Sequence, residues 1–129
     1  MEIKGLNEAS QKIHEANKLK GFYDNTIEIG TLLMLVVSEL SEALEADRKN
    51  RHVDFETYQT KLNSEPNRVF VKQSSLFQEY IKDTFEDEIA DAMIRLFDLC
   101  GYMDIDIEKH IDLKLKYNQG RPNKHGKNY

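Results

Sequence analysis

Apolar residues in this chain gather in stretches separated by polar turns, and the densest lies between Ile29 and Val37. A first helix is expected from Asn7 to about Lys20, with Asn7 as N-cap and Gly21 just past its end. The turn Gly21-Phe22-Tyr23-Asp24-Asn25 then leads into a second helix, from about Thr26 to Arg48. Its first half carries Ile29, Leu32, Leu33, Met34, Leu35, Val36 and Val37, which point in every direction around the axis. A helix that is apolar all round must be buried all round. The other helices of one small chain can hardly surround it, so a second subunit is expected to complete the burial.

Residues 50–73 are polar, with short apolar pieces such as Val69-Phe70-Val71 and a breaking segment around Pro66. A short helix near Asp54 to Leu62 and a mobile loop are both compatible with this pattern. Ser74 or Ser75 is expected to cap a long third helix reaching about Cys100 and closed by Gly101. A fourth should start at Asp104 or Asp106, run through about Asn118 and end at Gly120. Residues 121–129 read as an extended basic tail. With both prolines outside the helical stretches, the fold class is all-α, four-helix-bundle-like and antiparallel.

Composition narrows this further. The 129 residues make one domain. Eighteen Lys and Arg against 23 Asp and Glu give a net charge of −5, the wrong sign for a protein that wraps duplex nucleic acid. One cysteine, Cys100, excludes an internal disulfide and reads as a small buried hydrophobe. The longest apolar run falls short of the roughly 20 residues of a membrane span. Met1-Glu2-Ile3-Lys4 opens no signal-peptide core, so a soluble cytoplasmic protein is expected.

Two pairs of acids stand out. Glu39 and Glu42, three apart, share one face of the second helix, on the continuation of the stripe carrying Leu32 and Leu35. Glu88 and Asp91 repeat the spacing, beside a stripe of Ile81, Phe85, Ile89, Ala92, Met93 and Leu96. Facing each other, the pairs would crowd four carboxylates into one small volume, where they must protonate or bind cations. Hard oxygens suit Mg²⁺, with Mn²⁺ as the alternative. Acids at this spacing are also common on solvated faces, and Asp91 with Arg95 is an ordinary i, i+4 pair. No histidine has Glu three residues before it, against a di-iron bundle, and Lys109 replaces the glycine of a calcium loop begun at Asp104.

From Lys114 to Tyr129 the chain holds Lys114, Lys116, Arg121, Lys124 and Lys127, with His125 and no acid. An acidic cation site and a basic tail are complementary parts for a polyphosphate. No glycine-rich phosphate loop is present, so nucleotide binding would rest on side chains and metal.

Taken together, Ser38-Glu39-Leu40-Ser41-Glu42, Glu88-Ile89-Ala90-Asp91 and the ending Lys116-Tyr117-Asn118, Arg121-Pro122, His125-Gly126-Lys127 resemble the MazG-like, all-α nucleoside triphosphate pyrophosphohydrolase family. The resemblance spans residues 20–48 and 74–129. Ser38 stands where the family often has its first Glu, and the stretch from Ala43 to Asp87 is longer than usual, as an inserted lid or loop would make it. The resemblance implies a MazG-type bundle completed as a homodimer or homotetramer. It also implies Mg²⁺-dependent cleavage of a nucleoside triphosphate to the monophosphate and pyrophosphate, by water attack at the α-phosphorus. On this pattern Glu39, Glu42, Glu88 and Asp91 hold the metal, and one of these or Glu45 activates the water. Lys114, Asn118, Arg121 and Lys124 are the candidate phosphate contacts. The alternative is a catalytically silent helical module for nucleotide binding or oligomerisation.

Overall fold

The computed structural model describes residues 5–64 and 69–128, together with the backbone but not the side chains of 69–72 and of His125. Among these residues all regular structure is helical: α1 (Leu6–Leu19), α2 (Ile29–Arg48), α3 (Phe55–Asn63), α4 (Val69–Tyr80), α5 (Phe85–Tyr102) and α6 (Ile107–Gln119), with a 3₁₀ turn over Asn123–Gly126. The all-α class therefore holds, with six helices where four were expected. None of them is long and apolar enough to cross a membrane. The residues before Gly5 and the segment around Pro66 lie outside the described residues.

Two of the differences can be traced to particular residues. The long helix expected from Ser74 to Cys100 is two helices, because the chain turns at residues 81–84, where Asp83 takes φ 62°. Thr84 restarts it: its hydroxyl donates to Ile81 O at 2.7 Å and accepts from Asp87 N at 3.3 Å, as an N-cap does. The second concerns Gly101, which does not close α5 but lies inside it. A Cβ there would meet Ser10 O at 2.5 Å and His14 Cβ at 2.6 Å, so glycine is the residue that lets α1 approach α5. The left-handed residue that ends α5 is instead Asp104, at φ 53°, with Ile105 N bonded back to Cys100 O at 2.9 Å.

Elsewhere the expected punctuation stands. Gly21 (φ 87°) closes α1 with Phe22 N donating to Asn17 O. Asp106 caps α6 by accepting from Lys109 N at 3.1 Å. Of the two readings left open for the polar stretch, the short helix is present as α3, with Asp54 as its cap accepting from Thr57 N at 3.0 Å. At α1 the helix begins one residue earlier, and Asn7 binds α6 rather than capping. Its amide donates to Asp106 Oδ1 at 2.9 Å and its backbone N–H to Glu108 at 3.3 Å.

The described residues fall into two compact units, Met1–Thr26 with Phe97–Tyr129, and Ile27–Leu96. The first is held by the packing of α1 against Gly101 and by a buried polar knot. Asp98 accepts from the Tyr23 hydroxyl at 2.6 Å and lies 2.9 Å from His14 Nδ1, while Tyr23 stacks on Tyr102 with ring centroids 5.0 Å apart. Tyr23 is thus an anchor of its turn, and burial together with the Asp98 carboxylate pushes its phenol well above the ordinary range. Cys100 is buried, as expected of a small hydrophobe.

In the second unit α2 buries one stripe, Leu32, Val36, Glu39, Ala43 and Ala46. Leu33, Met34, Val37, Leu40 and Leu44 are exposed on its other faces. The described residues therefore do not surround the helix.

Candidate metal centre

The buried stripe of α2 inverts the usual order of polarity at one point. Glu39 is 8% exposed while its neighbour Leu40 is 47% exposed. Glu39 falls seven residues after Leu32, nearly two full turns, so helix geometry aims its carboxylate where the leucine is buried. What makes this tolerable is Arg95 on α5, whose Nε donates to Glu39 Oε1 at 2.6 Å. Spacing alone pairs Arg95 with Asp91 at i, i+4; the structure gives its hydrogen bond to Glu39 instead.

From α5, Glu88 enters the same place at 5% exposure. Carboxylate oxygens of Glu39, Glu42 and Glu88 all lie within 4.8 Å of one another. Among the described residues neither Glu42 nor Glu88 forms an ion pair with a Lys, Arg or His. Burial, the Glu42 charge and a hydrogen bond shared with Glu42 push the Glu88 carboxyl up to about 7, with Asp91 and Glu39 adding to the effect. Asp91 stands beside the trio without joining the close group, and its carboxyl is raised by burial and by the Asp87 and Glu39 charges against the pull of Arg95. Two acids absent from the sequence-based candidates, Asp83 and Asp87, form a second close group with Glu88. Asp87 is committed there to the turn, accepting from Asp83 N at 3.0 Å.

Two of the trio, Glu42 and Glu88, border a cleft of about 310 Å³. Glu42, Glu45, Asp83 and Glu88 supply its acidic wall, and Lys49 and Arg51 stand in its lining too. Glu45 is an exposed member of that wall, 3.4 Å from Lys49 Nζ and 3.9 Å from Arg48. The loop that carries Arg51 is tied to the start of α5. Phe85 N donates to Arg51 O at 2.9 Å, Val53 N to Glu86 Oε2 at 2.9 Å, and His52 Nδ1 lies 2.9 Å from Glu86 Oε1.

As a donor set the trio fits a small hard cation: three oxygen ligands, Glu39 and Glu88 buried and Glu42 exposed to solvent, with neither Glu42 nor Glu88 paired to a cation among the described residues. Glu39, Glu42 and Glu88 could hold such an ion, with Asp91 next to them.

The four candidate phosphate contacts belong to the other unit. Lys114 and Arg121 both lie over the ring of Tyr117, at 5.1 and 5.6 Å from its centroid. Lys124 donates to Asn128 O at 3.3 Å, within a 3₁₀ turn rather than an extended tail. Asn118 has its Oδ1 buried without a hydrogen-bond partner among the described residues.

Set beside known proteins, the chain matches no family model, no curated protein and no solved structure.

Proposed function

We propose that this chain is a soluble, cytoplasmic, Mg²⁺-dependent nucleoside triphosphate pyrophosphohydrolase of the MazG-like, all-α kind, working as a homodimer or homotetramer. One observation carries the reading: Glu39, Glu42 and Glu88, from two helices, converge within 4.8 Å beside a cleft of about 310 Å³. When bound, Mg²⁺ supplies charge neutralisation at phosphate oxygens and makes a nearby water easier to deprotonate. Glu39, Glu42, Glu88 and the adjacent Asp91 are the residues that would hold it.

The chain's own groups have separable tasks in this reading. Arg95 fixes the orientation of the Glu39 carboxylate. Glu45, exposed in the cleft, is the group that can take the proton of the attacking water. Water then attacks the α-phosphorus and pyrophosphate leaves. The exposed apolar residues of α2 support the proposed oligomer, since Leu33, Met34, Val37, Leu40 and Leu44 lie open on one helix where a partner could cover them.

The test is pyrophosphate release from a panel of ribo- and deoxyribonucleoside triphosphates, with and without Mg²⁺. Metal-dependent release from a subset, lost in Glu42→Gln and Asp91→Asn while the fold persists, is the expected result. Wild-type rates in either variant would remove the site assignment. The Glu39–Arg95 pair favours a second reading, because it satisfies one carboxylate without any metal. A catalytically silent nucleotide-binding or oligomerisation module would give no release from any member of the panel.

A further inference from the structure

The lining of the carboxylate cleft contains a cation whose position is better fixed than its partner. Asn50, at φ 54°, turns the chain at the end of α2. Asn50 N then bonds Asp47 O at 2.9 Å and Arg51 N bonds Ala46 O at 2.8 Å, the paired bonds of a Schellman closure. On its other side Arg51 O accepts from Phe85 N at 2.9 Å. The Arg51 backbone is therefore held to the end of α2 and to the first residue of α5, the two helices that supply the carboxylate trio.

Its side chain is exposed at the cleft. Four carboxylates line the cleft with it, yet among the described residues Arg51 forms no ion pair or side-chain hydrogen bond. Lys49, the other cation there, is engaged with Glu45 at 3.4 Å. A planar guanidinium with five donors, anchored at its backbone and exposed, next to acids that suit a divalent cation, is the complement of a metal-bound polyphosphate: the cation takes some oxygens and the fork takes others.

We propose that Arg51 binds the phosphates of the nucleotide in this cleft, a role the sequence alone directs to the C-terminal basic residues. The inference rests on reading Glu39, Glu42 and Glu88 as a divalent-cation site. It places the phosphate-binding cation within the same unit as the carboxylates. The expected ligand is a polyphosphate chain with Mg²⁺, and the base and sugar are not specified by Arg51.

The experiment is calorimetric titration of the full chain with inorganic tripolyphosphate, with and without Mg²⁺, on wild type and on Arg51→Ala, Arg51→Gln and Arg51→Lys. Lys20→Ala, an exposed residue of the other unit, controls for the lost charge. Binding that requires Mg²⁺, weakened about 10- to 100-fold in Arg51→Ala and Arg51→Gln and partly kept in Arg51→Lys, is the expected result. Lys20→Ala should bind as wild type. Affinity in Arg51→Ala within twofold of wild type, or no tripolyphosphate binding by the folded wild-type protein, overturns the proposal. The nucleotide panel separates the two readings. Hydrolysis with an unchanged KM in Arg51→Ala sinks the role of Arg51 and leaves the enzyme standing. No hydrolysis, with Mg²⁺-dependent tripolyphosphate binding lost in Arg51→Ala, does the reverse.

Discussion

Arg95 Nε donates to Glu39 Oε1 at 2.6 Å, and through this bond α5 satisfies the one carboxylate that lies on the buried stripe of α2. Glu39 is nearly enclosed, whereas the Arg95 side chain is 39% exposed, so the two partners depend on the bond unequally.

Removing Arg95 therefore leaves a buried charge behind. Arg95→Met should destabilise the metal-free protein by about 1–3 kcal/mol in urea denaturation, and Glu39→Gln added to it should recover part of the loss. Purely additive losses would show that the pair is not coupled. Mg²⁺ should stabilise Arg95→Met more than wild type, because the cation then replaces the missing partner.

The raised carboxyl of Glu88 gives a stability profile with a definite sign. Its folded value of about 7 lies above the ordinary 4.5, so between those values the folded state holds more protons than the unfolded one. Stability of the metal-free protein should fall as pH rises through that window. Melting curves in EDTA at pH 5.5 and 8 check this, and Glu88→Gln should flatten the difference. Added Mg²⁺ should raise the melting temperature at pH 8 and do little at pH 5.5. A stability that rises with pH across the same window would contradict the clustering of Glu39, Glu42 and Glu88.

Gly101→Ala tests the approach of α1 to α5. The obstructing atoms are Ser10 O and His14 Cβ, a backbone oxygen and the root of a side chain, neither of which can swing away. Overpacking of this kind costs about 1–3 kcal/mol, which denaturant titration would read directly. A neutral substitution would mean that α1 can retreat without loss.

Tyr23→Phe deletes the 2.6 Å hydrogen bond to Asp98 and leaves the stacked ring in place. The expected loss is about 1–3 kcal/mol, since a charged acceptor loses its donor. In wild type the Tyr23 phenol should titrate above the ordinary phenol range in an ultraviolet pH titration. Because its pKa is raised in the folded state, the stabilisation it brings should fade only in strong alkali.

The outer face of α2 can be tested by charge. Leu40→Lys with Leu44→Lys places two cations on a surface that is already exposed in the single chain, so the fold should survive. If the proposed homo-oligomer uses this face, sedimentation should show the wild type as a dimer or larger and the variant as a smaller species. An unchanged assembly would move the contact elsewhere.

The helical class, the apolar excess of α2 and the acid pairs are properties of local spacing, and the amino-acid sequence alone determines them. Residues three or four apart on a helix share a face wherever the helix goes. Gly21 and Gly120 at helix ends and Asp106 as a cap are equally legible, because such closures depend on a few consecutive residues.

Tertiary structure decided the rest. Whether Gly101 ends a helix or admits a neighbouring one depends on what lies against it, and here that is Ser10 and His14, some ninety residues away in the chain. The break at residues 81–84 falls at Asp83, whose left-handed backbone carries no strong signal in an aspartate within an otherwise helical run. Arg95 has an adequate partner four residues back, yet it bonds Glu39, which only the meeting of α2 and α5 brings within reach. Arg51 sits in a polar stretch with nothing to distinguish it from the other cations nearby. Its place in the cleft comes from hydrogen bonds of its backbone to Ala46 and Phe85, and such backbone pairings leave no mark on residue identity. Spacing along one helix sets which side chains travel together, but which of them face an empty cleft, a buried acid or another helix is settled by packing between elements.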